Sequence, residues 1–211
     1  MTPGRVLVTG AAGQLAWAVR EVFQDCDLVT RTRVELDVTD ADAVAREVAA
    51  LQPDVIINCA AYNDVDAAQD RPRDAFALNA FAVRSLARAA DACGAALVHY
   101  GTDFVFDGET ERPYVETDAP HPRGVYATSK LVGEWMAAGA PRHYVLRVES
   151  LFGMAPSWGG RLGTLDKLVR AMQSGREVAA FTDRIVTPSY VEDVAAATRV
   201  LVETGAAPGL Y

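Results

Sequence analysis

Apolar positions along this chain follow two periods in turn. Short runs of Val, Ile, Leu and Ala resemble strands covered on both faces. Each gives way to a stretch with apolar residues three and four apart. That alternation predicts a parallel sheet with helices packed over it. Strands are read at Arg5–Thr9 (RVLVT), 28–30, 54–59 (DVIINC), 95–100 (AALVHY), His143–Val148 and 178–181. A first helix starts at Gly13 with Leu15, Val19, Val22 and Phe23, and a second runs from a cap at Asp40 to about residue 51, before Pro53. A third follows Pro72 on the stripe Phe76, Ala80, Val83, Ala87 and Ala90, and ends at Gly94. Two more are expected over 126–138 and from Val191 to about residue 203. Residues 107–124 are polar, hold three prolines and read as a loop over the strand ends. Pro208-Gly209-Leu210-Tyr211 reads as the start of another strand, so a truncated C-terminal portion is expected.

Composition narrows the class. The 211 residues suit one or two domains, and 50% hydrophobic with 23% charged residues exclude wholesale disorder. A formal charge of −8 argues against an extended nucleic-acid surface or an anionic-membrane binder, which leaves a small ligand. No run approaches the roughly 18 apolar residues of a spanning helix. Cys26, Cys59 and Cys93 lack the short spacing of a zinc or redox motif, and an odd, sparse count suits a reducing cytoplasm. His99, His121 and His143 show no ligand spacing, so no metal site is expected.

The first strand ends in Thr9-Gly10-Ala11-Ala12-Gly13-Gln14-Leu15-Ala16, directly before a helix. Gly10 permits a tight turn, and Gly13 lets a pyrophosphate approach the helix N-terminus, where free N–H groups and the dipole favour an anion. The expected fold is therefore a Rossmann-type, doubly wound α/β sheet. Residues 1–148 would form the dinucleotide-binding domain, and 149–211 a partial substrate-binding portion interleaved with the sheet. The acid that usually grips a ribose 2′-hydroxyl after the second strand is not obvious. Arg31 and Arg33 stand there instead and suit a 2′-phosphate, which favours NADPH over NADH.

Tyr126 and Lys130 lie four apart on one face of a predicted helix. A free phenol titrates near pH 10, too high for efficient proton transfer, and a fixed cation one turn away lowers that value. Thr102, at the end of the fourth strand, can share the same mouth.

With the glycine turn, these residues resemble the extended short-chain dehydrogenase/reductases. The likeness rests on Asn58-Cys59-Ala60-Ala61-Tyr62, Thr102-Asp103-Phe104-Val105-Phe106 and Tyr126-x-x-x-Lys130. Gly13-Gln14-Leu15, Arg33-x-x-Leu36-Asp37-Val38-Thr39, Ala61-Tyr62-Asn63-Asp64-Val65-Asp66 and Asp107-Gly108 resemble the dTDP-4-dehydrorhamnose reductases more narrowly. The resemblance implies an NAD(P)H-dependent reductase of a dTDP-4-keto-6-deoxy sugar, an enzyme of deoxysugar biosynthesis. Thr102 and Tyr126 would bind the carbonyl oxygen, Tyr126 would donate the proton, and Lys130 would hold the nicotinamide ribose and depress the Tyr126 pKa. Gly10, Gly13, Gln14 and Leu15 would cradle the pyrophosphate, Arg33 the 2′-phosphate, and Asp37 and Val38 the adenine. Ala60, Ala61 and Tyr62 would line the cleft, with Asn63, Val65, Asp103 and Phe104 towards the sugar. A homodimer is compatible with the likeness.

Two departures stand out. Ser150, in Arg147-Val148-Glu149-Ser150-Leu151-Phe152-Gly153, occupies the place of the family's aromatic, and the family continues well past Gly209-Leu210-Tyr211. A dehydratase would carry Thr-Asp-Glu where this chain has Thr102-Asp103-Phe104; an epimerase and a non-catalytic nucleotide-binding subunit remain as alternatives. Asn79, on an apolar stripe, is either a satisfied buried amide or a support for the active-site helix. Asp64, Asp66 and Asp70 read as a solvated acidic loop, Ser129 as a helix-face hydroxyl, and Trp17, Trp135 and Trp158 as packing or rim residues.

Overall fold

The computed structural model describes residues 2–153, 163–179 and 185–211. Six strands form one sheet: β1 (Arg5–Thr9), β2 (Asp27–Arg31), β3 (Val55–Asn58), β4 (Ala96–Thr102), β5 (His143–Val148) and β6 (Gly209–Leu210). Their spatial order is β2-β1-β3-β4-β5-β6, every pair parallel. The order reverses direction between β1 and β3. A crevice therefore opens beyond the carboxyl ends of those strands.

Both faces are covered. Val6, Val8, Ile57 and Val98 point to one side, where α1 (Gln14–Val22) and α8 (Val191–Thr204) pack. Leu7, Ile56 and Leu97 point to the other, against α2 (Ala41–Leu51) and α5 (Ala82–Cys93). Such alternation along strands buried on both faces explains why their sequences are continuously apolar. Burial of each large aliphatic side chain stabilises the fold by roughly 1.5–3 kcal/mol, more than an exposed ion pair typically contributes. On the first face, the Arg199 guanidinium of α8 also donates to both Asp25 oxygens (2.6 and 2.7 Å) and to the Val22 carbonyl, fixing α8 to the end of α1. Residues after 148 thus supply a helix and an edge strand to the same sheet.

Local chemistry sets the boundaries. Asp40 caps α2 by accepting from the Asp42 and Ala43 amides, and Gly94 ends α5 in the left-handed conformation (φ 72°). The acidic loop is corrected: Asp64 accepts from the Ala67 amide and starts a short helix, α3 (Val65–Asp70). The single helix expected after Pro72 is also corrected. It begins as α4 (Pro72–Phe76), widens into a π-helical turn at Ala77–Phe81 and continues as α5. The extra residue per turn shifts the buried stripe, so Ala75 rather than Phe76 is buried before Asn79 and Ala80. Later come α6 (Val125–Ala137) and α7 (Thr164–Gln173), the second not expected from sequence. Val178 and Ala179 carry no strand; residues 180–181 of that expected strand, and Trp158, lie outside the described residues. Among the described residues, no helix is long and apolar enough to cross a membrane.

Candidate active site

The first wall of the crevice is the glycine turn. Gly10 adopts φ +66°, and a Cβ there would stand 2.6 Å from the Ala60 amide nitrogen. Only glycine lets the turn lie this close to the chain leaving β3. Gly13 precedes α1 in an extended conformation. No side chain caps this helix and its first turn holds no acid, so its leading N–H groups are available to an anion. Leu15 is buried in the core, leaving its amide rather than its side chain for such a ligand. The Gln14 amide donates instead to Asp166 of α7 (Nε2 to Oδ2, 2.8 Å), which ties α7 to the turn.

The second wall follows β3. Asn58 is buried, and its Oδ1 accepts from Thr9 Oγ1 (2.7 Å) and the Ala60 amide (3.2 Å), while its Nδ2 meets His99 Nδ1 (3.2 Å). Burial and the nearby Lys130 ammonium hold His99 well below the usual imidazole range, hence neutral. Ala60, Ala61 and Tyr62 line the cleft half-buried, and Asn63 and Val65 are exposed beyond them. Asn79 fixes this wall from below. Its Oδ1 accepts from the Tyr62 amide (2.8 Å), and its Nδ2 donates to the Tyr62 carbonyl (3.1 Å) and to Ser129 Oγ (3.0 Å). Ser129 in turn donates to the Tyr126 carbonyl (2.7 Å). Asn79 is therefore both a satisfied buried amide and a support for α6, reached through the π-helical turn.

Thr102, Tyr126 and Lys130 converge beyond the end of β4. Thr102 Oγ1 accepts from the Phe104 amide (3.3 Å), donates to Asp103 Oδ1 (3.2 Å) and is hydrogen-bonded to the Tyr126 side chain. Phe104 meets the Tyr126 ring edge-on at 5.7 Å. Lys130 is 3% exposed and donates from Nζ to the Tyr100 carbonyl (2.6 Å). Burial lowers its ammonium to about 8 against the opposing pull of Glu134. Glu134 is itself clamped by Arg147 (2.8 Å) behind the site.

The Tyr126 phenol does not follow the expectation of a depressed pKa. Burial raises it to about 12, the Thr102 hydrogen bond opposes the rise, and the Asp103 charge adds to it. Desolvation outweighs the lysine because the Lys130 ammonium is turned to the Tyr100 carbonyl.

The adenine side is looser. Arg33 and Asp37 are exposed after β2, Val38 is buried, and Asp37 accepts from the Thr39 amide and hydroxyl. Arg31 is committed to Glu47 of α2 (2.6 Å), which leaves Arg33 as the arginine facing solvent there. Two further residues escaped the sequence reading. Asp166 belongs to the unexpected α7, whose apolar residues at 165, 168, 169 and 172 were the available signal. Glu149 is an acid at the end of an otherwise apolar strand and is 8% exposed.

A glycine turn at a helix N-terminus, with threonine, tyrosine and lysine gathered past the fourth strand, defines a dinucleotide-binding fold of the extended short-chain dehydrogenase/reductase class. Residues 4–211 match the family described as RmlD substrate binding domain, and the chain belongs to it. It is 38% identical over 212 residues to the dTDP-4-dehydrorhamnose reductase of Mycobacterium tuberculosis, covering 95% of this chain and 66% of the relative. The dTDP-4-dehydrorhamnose reductase of Sinorhizobium fredii is 34% identical over 199 residues, covering 93% of this chain and 66% of that protein. The crystal structure of dTDP-4-dehydrorhamnose reductase from Bacillus anthracis in complex with NADP superposes with a TM-score of 0.91 at 31% identity, covering 99% of this chain and 73% of that one. The chain thus spans just under two thirds of the length of these two curated relatives.

Proposed function

We propose that this chain is the cofactor-binding and proton-donating part of an oxidoreductase that reduces the 4-keto group of a dTDP-4-keto-6-deoxy sugar with NADPH. The observation that carries the reading is the convergence of Thr102, Tyr126 and Lys130 beside the uncapped N-terminus of α1. The names of the relatives supply the substrate class, and the Bacillus anthracis complex the cofactor.

The residues present fit a dinucleotide. The free amides at the start of α1 suit its pyrophosphate, the 60–62 wall its nicotinamide half, and exposed Arg33 a 2′-phosphate. When bound, the cofactor supplies the hydride. Thr102 and Tyr126 orient the carbonyl oxygen of the sugar and stabilise the charge that develops on it. Tyr126 then gives its proton to that oxygen. A phenol at about 12 stays protonated at neutral pH yet remains more acidic than a sugar hydroxyl, so the transfer runs downhill. Lys130, still cationic near pH 7, balances the phenolate left behind and binds the ribose. Residues 1–148 carry this machinery, and 149–211 begin the sugar side. Following NADPH oxidation with a dTDP-4-keto-6-deoxy sugar tests the reading. Substrate-dependent oxidation is expected, and its absence from a protein that binds NADPH would favour a binding subunit.

A further inference from the structure

Glu149 follows β5 and is held on several sides. Its carboxylate accepts from the Thr187 amide, its own N–H donates to Ser189 Oγ (3.1 Å), and its carbonyl accepts from the Ser189 amide (2.9 Å). These bonds fix a buried acid that neither the proton donation nor the cofactor cleft employs. Its charge acts on Asp103, whose side chain accepts from Thr102 Oγ. Thr102 is hydrogen-bonded to Tyr126, so a continuous run leads from the carboxyl pair to the phenol.

We infer that Glu149 is a positioning residue that keeps a proton on Asp103, and that the Asp103–Thr102 pair returns this proton to the Tyr126 oxygen after each donation to substrate. The inference rests on the reading of Tyr126 as proton donor. In the return step the Asp103 O–H bond breaks as an O–H bond forms to Thr102 Oγ. The original Thr102 proton passes at the same time to the Tyr126 phenolate. Asp103 is left as a carboxylate and is reprotonated by water at the half-exposed mouth.

The electrostatics agree with this geometry. Burial first, and then the Glu149 charge, raise the Asp103 carboxyl to about 6, against the hydrogen bonds from Thr102 and the Phe104 amide. Tyr126 faces Asp103 from α6, and the backbone donor Thr187 faces Glu149 from the 185–189 segment. Two acids sharing a site resist double ionisation, so the pair retains a proton to a higher pH than an isolated aspartate.

Glu149→Gln keeps an acceptor for Thr187 and removes the charge. Carbon-13 NMR of aspartate-labelled protein, with Asp103→Asn to assign the signal, reads the Asp103 titration without any turnover. The expected result is a downward shift in Glu149→Gln and restoration in Glu149→Asp; an unmoved titration would overturn the positioning role. In the turnover assay, the alkaline fall of kcat should move by about one pH unit towards acid in Glu149→Gln, an approximately tenfold loss on that limb. Turnover with an unshifted profile would overturn the relay alone. Absence of turnover in the unmodified protein would overturn the relay together with the reductase reading.

Discussion

Replacing Asn79 by alanine should loosen three parts of the site at once. The side chain makes three hydrogen bonds, to the Tyr62 amide (2.8 Å), the Tyr62 carbonyl (3.1 Å) and Ser129 Oγ (3.0 Å), and it is 1% exposed. At about 1 kcal/mol net for each, and with partly buried partners left unsatisfied, the loss should be about 3 kcal/mol. For a chain of this size that corresponds to a fall in Tm of about 6–12 °C. Ser129→Ala, which removes the Asn79 partner on α6 and the bond to the Tyr126 carbonyl, should cost about half as much. Urea unfolding gives both values, and NADPH titration by fluorescence should show weakened binding in Asn79→Ala because the Tyr62 wall loses its clamp. A loss below 1 kcal/mol with unchanged NADPH affinity would refute the idea that this amide organises the cleft.

Arg33→Ala should lower the ratio of NADPH to NADH affinity by roughly tenfold, as for one lost charge-assisted contact, whereas Arg31→Ala should change it little because Arg31 is paired with Glu47. Equal effects in paired fluorescence titrations would contradict that division. The Lys130 ammonium is lowered from 10.5 to about 8, so the unfolded chain binds the extra proton between those values. Its contribution to stability is full above about 10.5 and is lost as pH falls through about 8. Lys130→Met should therefore flatten the rise in unfolding free energy between pH 8 and pH 10 while abolishing turnover; a slope equal to that of the unmodified protein would show that this lysine is not desolvated.

Several features could be read from residues alone because each signal is local. Val6-Leu7-Val8 and Val55-Ile56-Ile57 are apolar without a break, as strands between two helical layers require. Asp40 announced the start of α2 through the hydrogen bonds it makes. Tyr126 and Lys130 share a helix face by spacing alone. Other features depended on what the fold brings together. A π-helical turn has no compositional mark, and it alone explains how Asn79 reaches Tyr62 and Ser129. The spacing from Tyr126 to Lys130 gave no sign that Tyr100 would take the lysine proton, or that burial would then dominate the phenol. The link between Gln14 and Asp166 spans 152 positions, and that between Asp103 and Glu149 joins the ends of two strands. Neither leaves a periodic trace.

The central claim is that Tyr126 donates the proton. Tyr126→Phe removes one oxygen without opening a cavity, so fold and NADPH binding should be retained. The rate of NADPH oxidation with a dTDP-4-keto-6-deoxy sugar should fall by about 10²–10⁴-fold, the usual contribution of a positioned general acid. Near-full activity in Tyr126→Phe, measured at saturating cofactor, would contradict the account.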